Sequence, residues 1–329
     1  MIQFKNNLGG FNISLLSIVV PCYNEESSVL KFYNEFRRIY DEVLSYNFDL
    51  DYELIFIDDG SNDSTLNSIR ELADFDESVK YISFSRNFGK ESAIFAGLKN
   101  STGDYVVVMD ADLQDPPNLL PEMCRLISTG DYDSIATRRV SRKGEPKIRS
   151  FFARCFYKII NSISKIDLVD GARDYRMMTR QVVDSILELS EYNRFSKGIF
   201  NWVGFKTEWI EYGNVQRVDD ESSWSFWSLF RYSIEGIVAF STVPLSLSTL
   251  LGIIFSIIAF LMMVFIVIRN LLFGDAVQGW TSTICVILLL GGIQLFSIGI
   301  LGKYLEKTYL ESKNRPIYLT KESNFDKRD

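Results

Sequence analysis

Short apolar runs alternate with amphipathic stretches in the N-terminal part of the chain, and this pattern predicts a layered α/β domain. The predicted strands are Leu16–Pro21, Tyr52–Ile57, Val79–Phe84, Tyr105–Met109 and Asp133–Thr137. The predicted helices are Glu25–Ser45, Ser64–Phe75, Lys90–Lys99 and Asn118–Ser128. Strands that alternate with helices indicate a mostly parallel sheet covered on both faces, with ligands at the carboxyl ends of the strands.

Two long uncharged runs follow in the C-terminal part. Leu245–Ile268 and Thr281–Leu301 contain no charged residue, and each is long enough to cross a bilayer as a helix. The loop between them has one basic residue, Arg269, whereas the tail after the second run has seven. By the positive-inside tendency, we expect the tail and the α/β domain to be cytoplasmic and the loop to be outside.

Two amphipathic segments lie between these regions. Residues 147–166 place apolar side chains on one helical face and Lys or Arg on the other, which is typical of a helix packed on its own domain or of a membrane-surface helix. Between Arg138 and Lys165 there are nine basic residues and one acid, which favours an anionic partner over a merely solvated face. Residues 224–243 are amphipathic and aromatic, as at a membrane interface. We predict four regions, at 1–223 (α/β domain), 224–243 (interfacial helix), 244–302 (two transmembrane helices) and 303–329 (basic tail).

The amino-acid composition excludes several kinds of partner, catalytic group and metal site. The net charge of −7 over 329 residues does not suit a nucleic-acid-binding protein. The chain has no histidine, which excludes an imidazole base, an imidazole metal ligand and a Ser-His triad. The four cysteines form no C-x-x-C pair, which argues against a zinc site and fits a reducing compartment. The first fifteen residues do not resemble a signal peptide, so we expect no cleavable leader.

Acidic motifs come at the ends of three predicted strands. Asp110-Ala111-Asp112 can bind one hard divalent cation, Mg²⁺ or Mn²⁺, together with a ribose, although two nearby Asp residues also occur in ordinary turns. The turn that starts at Asp58 is typical of a helix N-cap or of a carboxylate that accepts a hydrogen bond from a nucleobase. In the third motif, Pro21–Glu25, Tyr23 could line the base and Glu25 could meet donor groups.

These motifs, P-x-Y-N-E, D-D-G-S and D-A-D-L-Q-D-P-P, resemble in order and spacing those of family 2 glycosyltransferases of the GT-A fold. Arg86–Glu91 (RNFGKE) and Gly171–Arg176 (GARDYR) resemble two further segments of that family. With the two C-terminal runs, the resemblance covers nearly the whole chain. It is strongest to bacterial polyprenyl-phosphate glycosyltransferases such as the undecaprenyl-phosphate glucosyltransferases, and more distant to dolichol-phosphate mannose synthase.

The resemblance implies a metal-dependent membrane enzyme, with Mg²⁺ or Mn²⁺ as cofactor and a homo-oligomeric state. It would transfer a hexose, glucose or N-acetylglucosamine, from a UDP-sugar to undecaprenyl phosphate with inversion, at the cytoplasmic face of the cell membrane. The lipid-linked product would serve to modify a cell-envelope glycan.

The resemblance also implies roles for particular residues. Asp174 is the candidate base, and Asp112 is the second catalytic residue. The implied ligands of the nucleotide sugar are Pro21, Tyr23, Glu25, Asp58, Lys90, Asp110 and Arg217. The implied metal ligands are Asp110, Asp112 and Gln114. The acceptor phosphate is assigned to Arg138 and Arg149, with Arg139 and Arg142 as competing candidates.

The chain departs from the family pattern after Arg217. The usual Gly is Asp220 and the usual Lys is Ser223, which removes a positive charge and adds an acid where a pyrophosphate is expected. This departure motivates one alternative, a non-catalytic glycosyltransferase-like scaffold. A processive polysaccharide synthase is disfavoured because the chain has no Q-x-x-R-W segment and too few spans. A nucleotide dehydrogenase is excluded because no G-x-G-x-x-G follows the first strand.

Overall fold

The computed structural model describes residues 15–41, 50–140, 169, 171–213, 243–273 and 280–325. The chain divides into two compact units. One contains the α/β sheet together with the segment that begins at Arg315, and the other contains the long C-terminal helices.

Eight strands and eight α-helices make up the described part of the chain. The strands are β1 Leu15–Cys22, β2 Asp51–Asp58, β3 Val79–Phe84, β4 Tyr105–Val108, β5 Ser134–Arg139, β6 Ala172–Thr179, β7 Thr207–Tyr212 and β8 Thr320–Ser323. The helices are α1 Glu26–Ile39, α2 Thr65–Phe75, α3 Lys90–Asn100, α4 Leu120–Ile127, α5 Arg180–Leu187, α6 Ser196–Trp202, α7 Val243–Phe273 and α8 Trp280–Ser312. A 3₁₀ turn at Pro117–Leu119 precedes α4.

The strands form one sheet in the order β7-β5-β6-β4-β1-β2-β3-β8. The pairs β1–β2, β1–β4, β2–β3 and β5–β7 are parallel, whereas β6 pairs antiparallel with β4 and β5. The mostly parallel sheet predicted from the sequence is confirmed. β8 pairs antiparallel with β3 and so extends the sheet with residues of the C-terminal tail.

The central strands are apolar because helices cover both of their faces. Leu16, Ile18 and Val20 of β1 are fully buried in the core that includes the apolar stripe of α1. Val19 points the other way, towards α3, where a Cβ atom added to Gly97 would lie 2.1 Å from the Val19 Cγ1 atom. Close approach of this helix to β1 therefore depends on a glycine.

The second unit contains the two long helices. Within the described residues, one stretch is long and apolar enough to cross a membrane, Val243–Met262 of α7, with a mean hydropathy of 2.4. The second predicted span lies in α8, which continues past Leu301 to Ser312. That second span stays a prediction, and so do the four predicted regions. Residues 147–166 and 224–242, predicted to be amphipathic, lie outside the described residues.

Candidate active site

The loops after β1 and β2 are joined to each other at the carboxyl edge of the sheet. Asn24 adopts a left-handed conformation with a φ of 54°, which asparagine tolerates better than most residues. Its backbone N–H donates to the Ser61 Oγ atom at 3.0 Å, and its side-chain oxygen accepts from the Asn62 N–H at 2.9 Å. Pro21 is partly buried near the end of β1, and Tyr23 projects from the loop with 43% of its surface exposed. The first two motifs therefore form one structural unit.

Asp58 lies at the end of β2 and is only 1% exposed. Its Oδ1 atom accepts from the Ser61 N–H at 3.0 Å, and its Oδ2 atom accepts from the Ser83 hydroxyl at 2.7 Å. Both oxygens are therefore used in holding the turn to β3. The structure shows the turn-stabilising role of this carboxylate.

Asp59 links the second motif to the R-N-F-G-K-E loop. Its two carboxylate oxygens accept from the N–H groups of Phe88, at 2.6 Å, and Gly89, at 2.9 Å. Burial raises the pKa of Asp59 despite these bonds. Gly60 has a φ of 68°, and a Cβ atom there would lie 2.5 Å from the Arg86 carbonyl carbon. The two loops thus fit together only because residue 60 is glycine.

Lys90 joins two carboxylates that are far apart in the sequence. Its Nζ atom lies 2.6 Å from the Asp110 Oδ1 atom and 2.8 Å from the Asp174 Oδ2 atom. Partial desolvation opposes the charge of Lys90, but the two carboxylates outweigh it and raise its pKa. Burial likewise opposes the charge of Asp174, but Lys90 and then Lys197 outweigh it and hold its pKa well below the usual range. Lys90 and Asp174 are therefore a stable ion pair at neutral pH.

The D-A-D-L-Q turn contains the residues predicted to bind metal. The Gln114 N–H donates to the Asp112 Oδ1 atom at 3.1 Å. Leu113 between them has a φ of 56°, a conformation that costs an L-residue about 1–2 kcal/mol. Strain of this kind persists where the surrounding structure imposes it, often at functional sites. The Arg139 NH2 atom lies 3.5 Å from the Gln114 Oε1 atom, so this arginine reaches the same turn.

A network of side chains that the sequence does not predict contacts this turn through Asp110 and Asp115. The Arg173 Nε atom donates to the Asp115 Oδ1 atom at 3.0 Å, and the Tyr212 hydroxyl donates to the same oxygen at 2.8 Å. Another Arg173 nitrogen lies 3.9 Å from the Asp110 Oδ2 atom. Burial raises the pKa of Asp115, although the charge of Arg173 opposes this. Both Asp115 and Arg173 belong to recognised motifs, but nothing in the sequence shows that they pair.

Glu91, next to Lys90, is held by the start of α6. Its carboxylate accepts from the Ser196 N–H at 2.8 Å and from the Ser196 hydroxyl. Burial raises the pKa of Glu91, and the nearby charge of Asp174 adds to this effect. These contacts place Lys197 where its charge reaches Asp174. Glu91, Ser196 and Lys197 were not predicted as site residues.

The predicted acceptor-phosphate residues are only partly described. Arg138 forms an ion pair with Glu211 on β7, and both side chains are exposed. Arg139 faces Gln114 instead, because neighbouring residues of a strand point to opposite faces. Arg149, Arg142 and Arg217 lie outside the described residues, as do Asp220 and Ser223.

The oxygen groups of the D-A-D-L-Q turn fit a divalent cation that is shared with a substrate. Within the described ranges, no three Asp, Glu or Cys side chains come close enough to hold a metal ion by themselves. Mg²⁺ is usually bound by one or two carboxylates plus substrate phosphates, so Asp110, Asp112 and Gln114 suit it without a complete protein cage. Lys90 now contacts one Asp110 oxygen, so it would have to share that carboxylate with the cation.

Comparison with known proteins identifies the family. Residues 17–187 match the model of glycosyl transferase family 2, and the chain belongs to this family. The resemblance inferred from the sequence motifs is confirmed.

Three relatives cover nearly the full length. The putative glycosyltransferase CsbB of Bacillus subtilis is 43% identical, over 96% of this chain and 94% of its own length. The prophage bactoprenol glucosyl transferase homolog of Escherichia coli is 40% identical, over 93% of this chain and 98% of its own. The bactoprenol glucosyl transferase of Shigella phage SfX is 41% identical over the same shares of the two chains.

Among solved structures, the glucosyl-3-phosphoglycerate synthase of Mycobacterium tuberculosis in complex with Mn²⁺, UDP and phosphoglyceric acid matches this chain with a TM-score of 0.47 and 20% identity. The match covers 68% of this chain and 76% of that one.

Proposed function

We propose that this chain transfers a hexose from a UDP-sugar to undecaprenyl phosphate, with inversion, at the cytoplasmic face of the cell membrane. Support for the acceptor comes from the relatives named bactoprenol glucosyl transferase, which align with 93% of this chain at about 40% identity. Their names favour glucose over N-acetylglucosamine as the sugar. The lipid-linked sugar would then be used to modify a cell-envelope glycan.

One structural observation carries the proposal, the bridge that Lys90 makes between Asp110 and Asp174. Asp110 follows β4 in the turn proposed to hold the donor diphosphate. Asp174 lies on β6, on the side proposed for the acceptor. The bridge supports a proposed arrangement in which donor and acceptor meet around one point at the carboxyl edge of the parallel strands, where ligands of such sheets bind.

A divalent cation, Mg²⁺ or Mn²⁺, would be held by Asp110, Asp112 and Gln114. When bound, it would neutralise the negative charge that develops on the leaving nucleoside diphosphate. Tyr23 is exposed beside this edge and is proposed to contact the base, together with Pro21, Glu25 and Asp58.

The chain's own residues would bind and orient the acceptor. A phosphate is already ionised at neutral pH, so the reaction does not need a strong base. The low pKa of Asp174 makes this carboxylate a weak proton acceptor, and its proposed role is to hold Lys90 in place. We propose Arg138 and Arg149 for the acceptor phosphate, and Arg139 as the cation of β5 that already faces the donor turn. Positioning two ionised reactants in line is itself a large part of catalysis.

The mechanism is proposed as a single displacement without a covalent enzyme intermediate. Burial raises the pKa of the Cys22 thiol well above its usual value, and the charges of Glu25 and Asp58 add to this. The buried cysteine beside the site is therefore protonated and not nucleophilic.

Membrane attachment would keep the site at the level of the lipid headgroups. We propose that α7 and α8 provide two transmembrane helices and that the enzyme is a multi-pass homo-oligomer. β8 of the C-terminal tail is a strand of the catalytic sheet, so the tail and the sheet share one side of the membrane. The seven basic residues of the tail favour the cytoplasmic side.

The proposal is tested by product analysis. Membranes that contain the protein would be incubated with undecaprenyl phosphate, Mg²⁺ or Mn²⁺, and a panel of labelled nucleotide sugars, with and without EDTA. EDTA-sensitive label in the organic phase from UDP-glucose, with a β-linked product by NMR, supports the proposal. Label from UDP-N-acetylglucosamine alone would show that the transferred sugar is N-acetylglucosamine and not glucose. No label from any donor, with the protein folded, would favour a non-catalytic scaffold.

A further inference from the structure

The tail segment Arg315–Phe325 forms an edge of the catalytic sheet, although its strand is polar. β8 pairs Thr320 with Phe84 and Ser323 with Ile82, and the Ser85 N–H donates to the Leu319 carbonyl at 3.0 Å. Side chains of the strand itself are mostly exposed. Apolar burial of the strand does not explain why it docks here, so other contacts must hold it.

Polar contacts fasten the far end of the tail segment. Arg70 on α2 makes two hydrogen bonds to the Glu322 carboxylate, at 2.8 and 2.6 Å. The Asn324 side chain accepts from the Tyr81 N–H at 2.7 Å and donates to the Val79 carbonyl at 3.0 Å. These contacts are made by Arg70 of α2 and by Val79 and Tyr81 of β3, none of which is a proposed substrate ligand.

The near end of the segment makes a different contact, through the ring of Tyr318. This ring stacks on Phe84 with the centroids 4.9 Å apart and the planes 21° from parallel. Phe84 in turn meets Phe88 edge-on at 5.8 Å. All three rings pack on the same buried cluster between β2, β3 and α3. Aromatic pairs of this geometry contribute beyond their buried area, so the tail restrains both phenylalanines.

Phe88 belongs to the loop that presents Lys90. The loop is fixed on its inner side by the bonds from the Phe88 and Gly89 N–H groups to Asp59. The ring of Phe88 also meets Phe84 edge-on, and Tyr318 stacks on Phe84. Two residues after Phe88, Lys90 bridges Asp110 and Asp174. A continuous series of contacts thus leads from the tail to the proposed donor site.

We propose that Tyr318 is a positioning residue of the nucleotide-sugar site, which rests on the proposed function. Its ring holds Phe84 and Phe88 so that Lys90 keeps its place between the two carboxylates. Loss of the ring removes the stacking contact that restrains Phe84 and, through Phe84, weakens the restraint on Phe88. Small displacements of a binding group lower catalysis strongly, and we expect an effect of about tenfold on donor binding.

Three full-length variants, with a fourth as a replacement, distinguish a positioning role of Tyr318 from a general effect on stability. Tyr318→Ala removes the ring, whereas Tyr318→Phe keeps it and loses only the 3.5 Å contact to Asn100. Glu322→Gln weakens the Arg70 pair in the same segment without touching any ring. Tyr318→Leu keeps apolar bulk and replaces Tyr318→Ala if that variant does not fold. The measurements are the unfolding temperature, the dissociation constant of UDP with Mn²⁺ by calorimetry, and the KM values of donor and lipid.

The proposal predicts that Tyr318→Ala, or its Leu replacement, raises the UDP dissociation constant and the donor KM about tenfold while the lipid KM stays within twofold. Tyr318→Phe and Glu322→Gln should stay within twofold for both substrates. Equal effects of Tyr318→Ala and Glu322→Gln, or normal UDP binding by Tyr318→Ala, would overturn it. If the unaltered protein neither binds UDP nor labels lipid, the proposed function itself fails.

Discussion

The Lys90 Nζ atom lies 2.8 Å from the Asp174 Oδ2 atom, across 84 positions of sequence. This contact joins the R-N-F-G-K-E loop to the D-Y-R segment and fixes the charge state of both residues. Replacing Lys90 with Met should therefore abolish most transfer activity and allow the pKa of Asp174 to rise. The matched control is Lys99→Met on the same helix, where the side chain is exposed and outside the site. Equal initial rates for the two variants would contradict the assigned role of Lys90.

The pH dependence follows from the same pair. The pKa of Asp174 is lowered in the folded protein, so its stabilising effect is present above about pH 4, its unfolded value, and is lost only as pH falls through the lower folded value. The pKa of Lys90 is raised, so its effect is complete below about pH 10 and is lost as pH rises through the higher folded value.

We therefore predict that neither residue titrates between these limits, and that the rate rises near pH 6 because the acceptor phosphate ionises at about that pH. The measurement is kcat/KM for the lipid from pH 5 to pH 9. This account assigns the rise in rate to the acceptor phosphate. If the pH at which the wild-type rate rises stays the same with different acceptors, an enzyme carboxylate controls the rate and the account is wrong.

Arg173 should contribute to stability because Asp115 is buried beside it. Replacing Arg173 with Met leaves a buried carboxylate without its cation, which typically costs about 3–5 kcal/mol. The control is Arg125→Met, which breaks an exposed pair with Glu122 and should change the free energy of unfolding by less than about 1 kcal/mol. Denaturant unfolding of both variants measures the difference. Similar free energies of unfolding would show that the Arg173–Asp115 pair is not an important source of stability.

Gly60 should tolerate no side chain. Gly60→Ala places a Cβ atom 2.5 Å from the backbone of Arg86 and requires a left-handed conformation, which alone costs about 1–2 kcal/mol. We expect lower stability and weaker UDP binding, since the two loops must separate. Gly213→Ala is the control, because a Cβ atom there has no neighbour within 4 Å. Unfolding temperature and calorimetric UDP binding test the prediction, and identical values for the two variants would contradict it.

The central parallel strands could be predicted because they are buried on both faces and therefore form continuous apolar runs. β8 could not, since Thr320–Ser323 is polar and the β3 residues that it pairs with lie some 240 positions earlier in the sequence, as Ser83 does opposite Glu322. β6 was recognised only as a motif, because its charged residues mask the strand pattern. In each case, the missing information is a pairing between distant segments.

In the candidate site too, the sequence predicts what depends on local spacing and does not predict contacts between distant segments. Asp112 and Gln114 lie in one turn, where the Gln114 N–H donates to the Asp112 Oδ1 atom, as their local spacing suggests. The pairs Lys90–Asp174 and Arg173–Asp115 are set by the sheet order, which places β6 beside β4, and no local pattern reveals that order. Arg138 and Arg139 are adjacent in the sequence, and only the orientation of β5 shows which of them reaches Gln114.

The central claim is sugar transfer to a lipid phosphate, and the most direct measurement is label from UDP-[¹⁴C]glucose recovered with undecaprenyl phosphate. The wild type would be compared with Asp112→Asn and with Asp51→Asn, an exposed residue at the opposite end of β2. The account predicts EDTA-sensitive labelling by the wild type and Asp51→Asn, and a loss of at least about 100-fold in folded Asp112→Asn. Full labelling by Asp112→Asn, or none by the wild type with any nucleotide sugar, would contradict it.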